Sequence, residues 1–273
     1  MAEFSGQLAL RAEARPDGRT ALAGQSFHAP YHVSKPYWDR ETGVLLVQVV
    51  NPTAGILSGD RLESAITVGE GAALLVTTPS ASRIFQMKGT AECRQHFRVA
   101  KGGWLEVMPE PLVPHRGCRY RQVTRIEVEP GGELFFADLL MPGRVGHGEA
   151  WEWDRLGLES DVRFGGELIL RERVAQSGAE LKALAGLAGS GPGACFGNAV
   201  LIGEERAADA SWQSAVAALH SDGLWVGLSR LRRGGWSLKL VAPDGVRLRQ
   251  GLREARQILA ARFPRLTCDP RKL

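Results

Sequence analysis

The sequence predicts a mostly β protein, a stacked antiparallel β-sheet or solenoid-like body of repeated glycine-turn hairpins, with about two α-helices in its C-terminal third. Three observations carry this. One pattern, V-x-x-G-A/G-x-L, occurs as VGEGAAL from Val68, VAKGGWL from Val99, VEPGGEL from Val128 and VRFGGEL from Val162. Its recurrence about every 30 residues is the period of stacked supersecondary units. Alternating stretches precede the first three copies (AITV, HFRV, RIEV), and strand-like runs such as LLVTT, LEVMPE, LFFADLL and LILRE follow. Strand, tight glycine turn, strand is the reading, because glycine supplies the positive φ of such turns without steric cost.

The C-terminal third changes character. AADASWQSAVAALH (207–220) places Trp212, Ala215, Val216 and Leu219 at helical spacing, and RLRQGLREARQILAARF (247–263) puts Leu248, Leu252, Ala255 and Leu259 on one stripe. Between them LWVGLSRL and GGWSLKLVA predict a hairpin turning at Arg232–Gly235. SGAELKALAGLAGSGPGACFGN (177–198) reads as a short helix with a loop, or as a connection alone. Trp151 and Trp153 alternate as in a strand. No clean boundary divides the chain, so residues 1–273 are expected to form one domain.

Composition narrows the function classes. With 273 residues, 44% of them hydrophobic, the chain can bury a sizeable core. It has no apolar run of membrane-spanning length, and its start mixes acids with bases and lacks an apolar signal core, so the expected location is the cytoplasm. Four dispersed cysteines, Cys93, Cys118, Cys195 and Cys268, are expected as thiols. The formal charge of +4 favours an acidic partner without demanding nucleic acid.

The loop NPTAGILSGDR (51–61) resembles a phosphate cradle, but Gly55 and Gly59 lead into Asp60 and Arg61, where a P-loop needs Lys and a hydroxyl. In GILSG the serine is one position late for a nucleophile elbow. AGSGPG (188–193) lacks the strand and helix of a dinucleotide site. Cys93 with His96, and His115 with Cys118, make up the complement of a Cys2His2 zinc site, yet residues three apart on a strand face opposite ways. The alternative places Cys93 in the core and His96 on the surface. Pro30 separates His28 from His32 and opposes the helix that would align them. His147, between glycines in GRVGHGE, is a transient metal contact or part of a solvated turn. SRLRR (229–233) and Arg249, Arg253 and Arg256 form either an acid-binding surface or, with Glu254 beside them, a solvated helix face. Trp38, Trp104 and Trp236 are expected as core or interface anchors.

Several segments together resemble one family. KPYW (35–38), NPTAGILSGDRL (51–62), GAALLVTTPSASRIFQM (71–87), LEVMPEPLVPHRG (105–117) and GRVGHGEAWEW (143–153), followed by GGELILRERV (165–174), are similar in order and spacing to the UreD family of urease accessory proteins, called UreH in some organisms. The family usually has Gly-Gly where this chain has Ala54-Gly55, which requires that position 54 not need positive φ. The resemblance implies a non-enzymatic, mostly β scaffold that binds the urease structural subunits and UreF, and through UreF the nickel-carrying GTPase UreG, with neither nucleic acid nor membrane as partner. It implies nickel in transit through an internal tunnel and no permanently bound cofactor. Residue by residue it implies the carboxylates Asp60, Glu110, Asp138 and Glu149 as tunnel candidates, with Thr78 and Ser80 as hydrogen-bonding lining. Asp60 is equally a turn cap, and Glu149 equally the partner of Arg144. The rival reading is an independent metal-dependent enzyme or structural zinc protein, which tight zinc dependent on Cys93 and His115 would support.

Overall fold

A computed structural model describes residues 5–187, 191, 193–204 and 209–271. The chain is mostly β. A seven-stranded sheet runs in the order Glu167–Gln176, Arg155–Phe164, Arg119–Val128, Ala91–Val99, Arg61–Val68, Ser5–Ala14 and Thr20–His28. Facing it, an 11-stranded sheet has at its centre Leu45–Val50, Ala73–Thr77, Trp104–Met108 and Glu133–Leu140, continued by Cys195–Ile202, Gly235–Ala242 and Trp225–Arg230.

The repeat is real, but three of its four copies are not hairpins. After Val68, Val99 and Val128 the chain turns out of the first sheet into the second, and each strand pairs in parallel with its counterpart one repeat away. Only the fourth copy folds back on itself, Arg155–Phe164 pairing antiparallel with Glu167–Gln176. A glycine turn serves either geometry. Gly71, Gly102, Gly131 and Gly165 all take φ between +57° and +83°, the left-handed region that a side chain would resist. The arch is favoured because both flanking strands have an apolar face to bury, and facing sheets bury both at once. Successive turns stack, with Gly102 N donating to Gly131 O at 3.0 Å. The parallel solenoid is thus central, and antiparallel pairing is confined to its margins.

Burial explains the two kinds of strand. First-sheet strands alternate, RLESAITV burying Leu62, Ser64, Ile66 and Val68, because their outer face meets water. ALLVT is buried at every position, because the second sheet has its inner face on the first sheet and its outer face under α2 (Asp209–Ala217) and α3 (Gly245–Leu259). In α3 Leu248, Leu252, Ala255 and Leu259 are buried as the stripe requires, and Asp244 caps the helix by accepting from Val246 N and Arg247 N at 2.8 Å. The helix expected over 207–220 is described from Asp209, and residues 207 and 208 lie outside the described residues. A short helix, α1 (Gly178–Leu187), closes one end of the sandwich, and Leu181 and Ala185 pack into it. Of AGSGPG only Gly191 and Gly193 are described. The hairpin across Arg232–Gly235 forms as read.

Trp151 and Trp153 are not in a strand. They occupy a bend in which Trp151 has φ 66°, and this conformation turns both rings into one apolar cluster with centroids 5.4 Å apart. The basic residues of α3 are only partly a solvated surface: Arg253 is exposed, whereas Arg249 and Arg256 turn to carboxylates of the second sheet and its loops. Arg256 donates to both oxygens of Glu106 at 2.8 and 3.0 Å, and Glu106 is fully buried. Among the described residues no helix is long and apolar enough to cross a membrane.

Candidate functional site: a polar cavity between the sheets

The space between the sheets is apolar at both ends and polar between them. On the first sheet Ser64, Gln95, Thr124, Ser160 and Glu172 stand in register across successive strands at inward positions. On the second sheet Asp138, Asn198 and Lys239 form a matching row. The rows meet where Asn198 Nδ2 donates to Glu172 Oε2 at 2.8 Å and Lys239 pairs with Glu172. Thr124 donates to Gln95 at 2.9 Å, and Tyr120 to Gln122 at 3.0 Å. Interior amides and hydroxyls in such number leave acceptors that an apolar core would not tolerate.

A cavity of about 170 Å³ opens onto this region. Its rim is formed by the loops around Asn51–Ile56, Thr78–Arg83 and Pro109–Leu112, and its floor includes Cys93, Gln122 and Asp138. Thr78 Oγ1 accepts from Glu110 N at 2.8 Å and ties two rim loops together. Arg249, on α3, donates to Glu110 at 3.0 Å. Of the candidates, Thr78, Ser80, Glu110 and Asp138 therefore border one cavity.

Asp138 is the most perturbed carboxylate there. Burial pushes its pKa up from the usual 3.8 to about 7, a rise reinforced by Glu172 and opposed by a hydrogen bond from Gln122 and by the charge of Lys239. Near neutral pH both its protonated and ionised forms are therefore populated. Cys93, on the same floor, is held as a neutral thiol, its pKa pushed by burial to about 11.

Asp60 and Glu149 lie elsewhere. Asp60 is buried in the loop that joins Leu45–Val50 to Arg61–Val68, and its Oδ2 accepts from Leu57 N at 2.8 Å, as a turn cap does. It borders a separate open pocket with Ser58, Glu63 and Glu92. In the same loop Gly55 has φ 150°, and a Cβ there would lie 2.4 Å from Arg83 O. Ala54 takes no positive φ, so the missing glycine is accommodated. Glu149 receives two hydrogen bonds from Arg144 at 2.9 and 2.5 Å across a two-residue ladder, and this guanidinium holds its carboxyl below the usual range. Asp60→Ala is expected to cost about 1 kcal/mol through the lost cap, and Glu149→Ala less than that, because the Arg144 side chain is partly exposed. Chemical denaturation of the two variants checks both.

The two cysteine-histidine pairs do not converge on an ion. Cys93 faces the core while His96, on the outer face of the same strand, lies 3.3 Å from Glu127. His115 and Cys118 are buried together in one turn, where desolvation lowers the His115 pKa and raises that of Cys118 to about 12. His147 ends an exposed 3₁₀ turn. Among the described residues no group of three or more His, Cys, Asp and Glu could hold a metal ion. Sequence reasoning missed Glu172, Asn198 and Lys239. The available signal was polar residues at inward positions of alternating strands, Ser64 in RLESAITV and Gln122 in RYRQVTRIEV.

The chain matches the family model described as UreD urease accessory protein over residues 5–272. It is 63% identical to the urease accessory protein UreD of Opitutus terrae, over 99% of this chain and all of that protein. It is 34% identical to the UreD of an Arthrobacter species over 58% of this chain and 54% of the relative. With the UreD of Yersinia enterocolitica it shares 37% identity over 59% of this chain and 47% of the relative.

Proposed function

We propose that this chain, which belongs to the UreD family of urease accessory proteins and so serves urease maturation, conveys nickel to apo-urease through the polar space between its sheets. The observation that supports this reading most is Asp138 on the floor of the cavity, in register with Asn198 and Lys239. Ni²⁺ accepts carboxylate, amide and hydroxyl oxygens, and single ligands spaced along a wet path bind it weakly enough to release it. A thiolate on that path would retain it. Cys93, the thiol on the cavity floor, is kept protonated by burial and so is a poor ligand at neutral pH.

In this role the chain is a scaffold and not a catalyst. It binds the urease structural subunits and UreF, and UreF brings the GTPase UreG that carries nickel. The test is co-expression of urease and UreF with and without this chain, followed by affinity capture and nickel analysis of the urease. The reading requires that both partners co-purify and that urease gains nickel only when the chain is present. It fails if neither partner is retained and urease is loaded without the chain.

A further inference from the structure

Glu110 at the cavity rim and Glu172 at the end of the polar row each already carry a cation belonging to the chain. At the rim Glu110 accepts from Arg249 at 3.0 Å, and the two side chains are 29% and 38% exposed. At the far end of the polar row Lys239 pairs with Glu172 and donates to Asn198 Oδ1 at 2.6 Å, its own side chain 49% exposed and that of Glu172 22%. Between them Asp138 is hydrogen-bonded to the neutral Gln122. Asp138 stands two strands from Lys239, roughly 10 Å across the sheet.

An enclosed carboxylate without a counter-charge is costly to desolvate, and it would bind a divalent cation tightly. A resident ammonium or guanidinium removes both effects. Lys239 and Arg249 are half in solvent on long flexible stems, so either can swing out at small cost when a doubly charged ion arrives. We propose that Lys239 and Arg249 are tethered counter-ions, which keep Glu172 and Glu110 neutralised and are displaced as a divalent cation enters or leaves. They act as positioning residues that set how weakly the passage holds its cargo. The inference rests on the passage reading above and adds what makes transit reversible.

The test titrates Ni²⁺ into the purified full chain against a chromophoric chelator, and in parallel measures nickel in co-expressed urease. Lys239→Met and Arg249→Met should each bind Ni²⁺ about three- to tenfold more tightly, while delivering less nickel to urease. Lys239→Arg, which returns a cation to the end of the row, should reverse most of the Lys239→Met effect. Thermal melting of each variant establishes that it is folded. Unchanged or weaker Ni²⁺ binding in both folded Met variants overturns the counter-ion proposal. Asp138→Leu separates the two levels: if it lowers delivery while the Met variants bind as the unaltered chain does, the counter-ion idea alone fails. If Asp138→Leu also leaves delivery unchanged, the passage reading fails with it.

Discussion

Arg256→Ala is expected to lower stability by about 3–5 kcal/mol, the cost of leaving a buried charge without its partner. Glu106 is fully buried on the outer face of the second sheet, and both of its oxygens accept from the Arg256 guanidinium. The same guanidinium donates to Cys268 O at 2.6 Å, so a single side chain clamps the sheet, α3 and the C-terminal turn. Burial raises the pKa of Glu106 while Arg256 opposes the rise, which places the cost of this carboxylate in desolvation and its remedy in the ion pair. Removing the arginine leaves only the cost. The paired replacement Glu106→Leu with Arg256→Met, which removes both charges and keeps the volume, should recover most of the loss. Urea denaturation of the single and double variants decides it. A loss below about 1 kcal/mol for Arg256→Ala would place the pair with ordinary surface bridges.

Asp138→Asn should act oppositely on stability and delivery. The folded-state pKa of Asp138 is raised to about 7 from the usual 3.8, so the native state retains a proton that the unfolded chain has lost. Between these values the native state binds more protons, and this group's contribution makes stability fall as pH rises, at about 1.4 kcal/mol per pH unit at most. The full penalty is present above about pH 7 and absent below the unfolded value. Asparagine cannot ionise, so the variant should match the unaltered chain near pH 4 and be the more stable by a few kcal/mol at pH 8. Nickel transfer should fall in the same variant, because an amide supplies no charge for the ion. In the unaltered chain, Ni²⁺ affinity should rise between pH 6 and 8 as the carboxylate forms. An Asn variant equally stable at pH 8, or an affinity flat across that range, contradicts the assignment.

The mostly β body was legible because VGEGAAL and its three relatives repeat both the turn and the strands around it. What the repeat did not reveal was where the second strand goes. Gly102 adopts the same left-handed conformation whether Trp104–Met108 folds back beside Ala91–Val99 or crosses to the opposite sheet. The uniform burial of ALLVT, against the alternation of RLESAITV, carried that information. The candidate site was legible in part. Thr78, Ser80, Glu110 and Asp138 border one cavity, whereas Asp60 and Glu149 have backbone and ion-pair partners of their own. Glu172 and Lys239 were not legible, since their meeting depends on two sheet margins more than 60 residues apart in sequence. Arg256 was placed on a surface, acid-binding or solvated, because its partner, Glu106, lies inside the apolar-looking run WLEVM on a strand 150 positions away.

If nickel travels through the space that Asp138 borders, the nickel content of urease captured with this chain depends on that carboxylate, and Asp138→Leu replaces it on the cavity floor with an apolar group of similar size. Urease and UreF should co-purify with this variant in unchanged amounts while nickel per urease active site falls about fivefold or more, a loss of roughly 1 kcal/mol in transfer if read as a free energy. Full nickel loading by that variant, in a complex of unchanged composition, would contradict it.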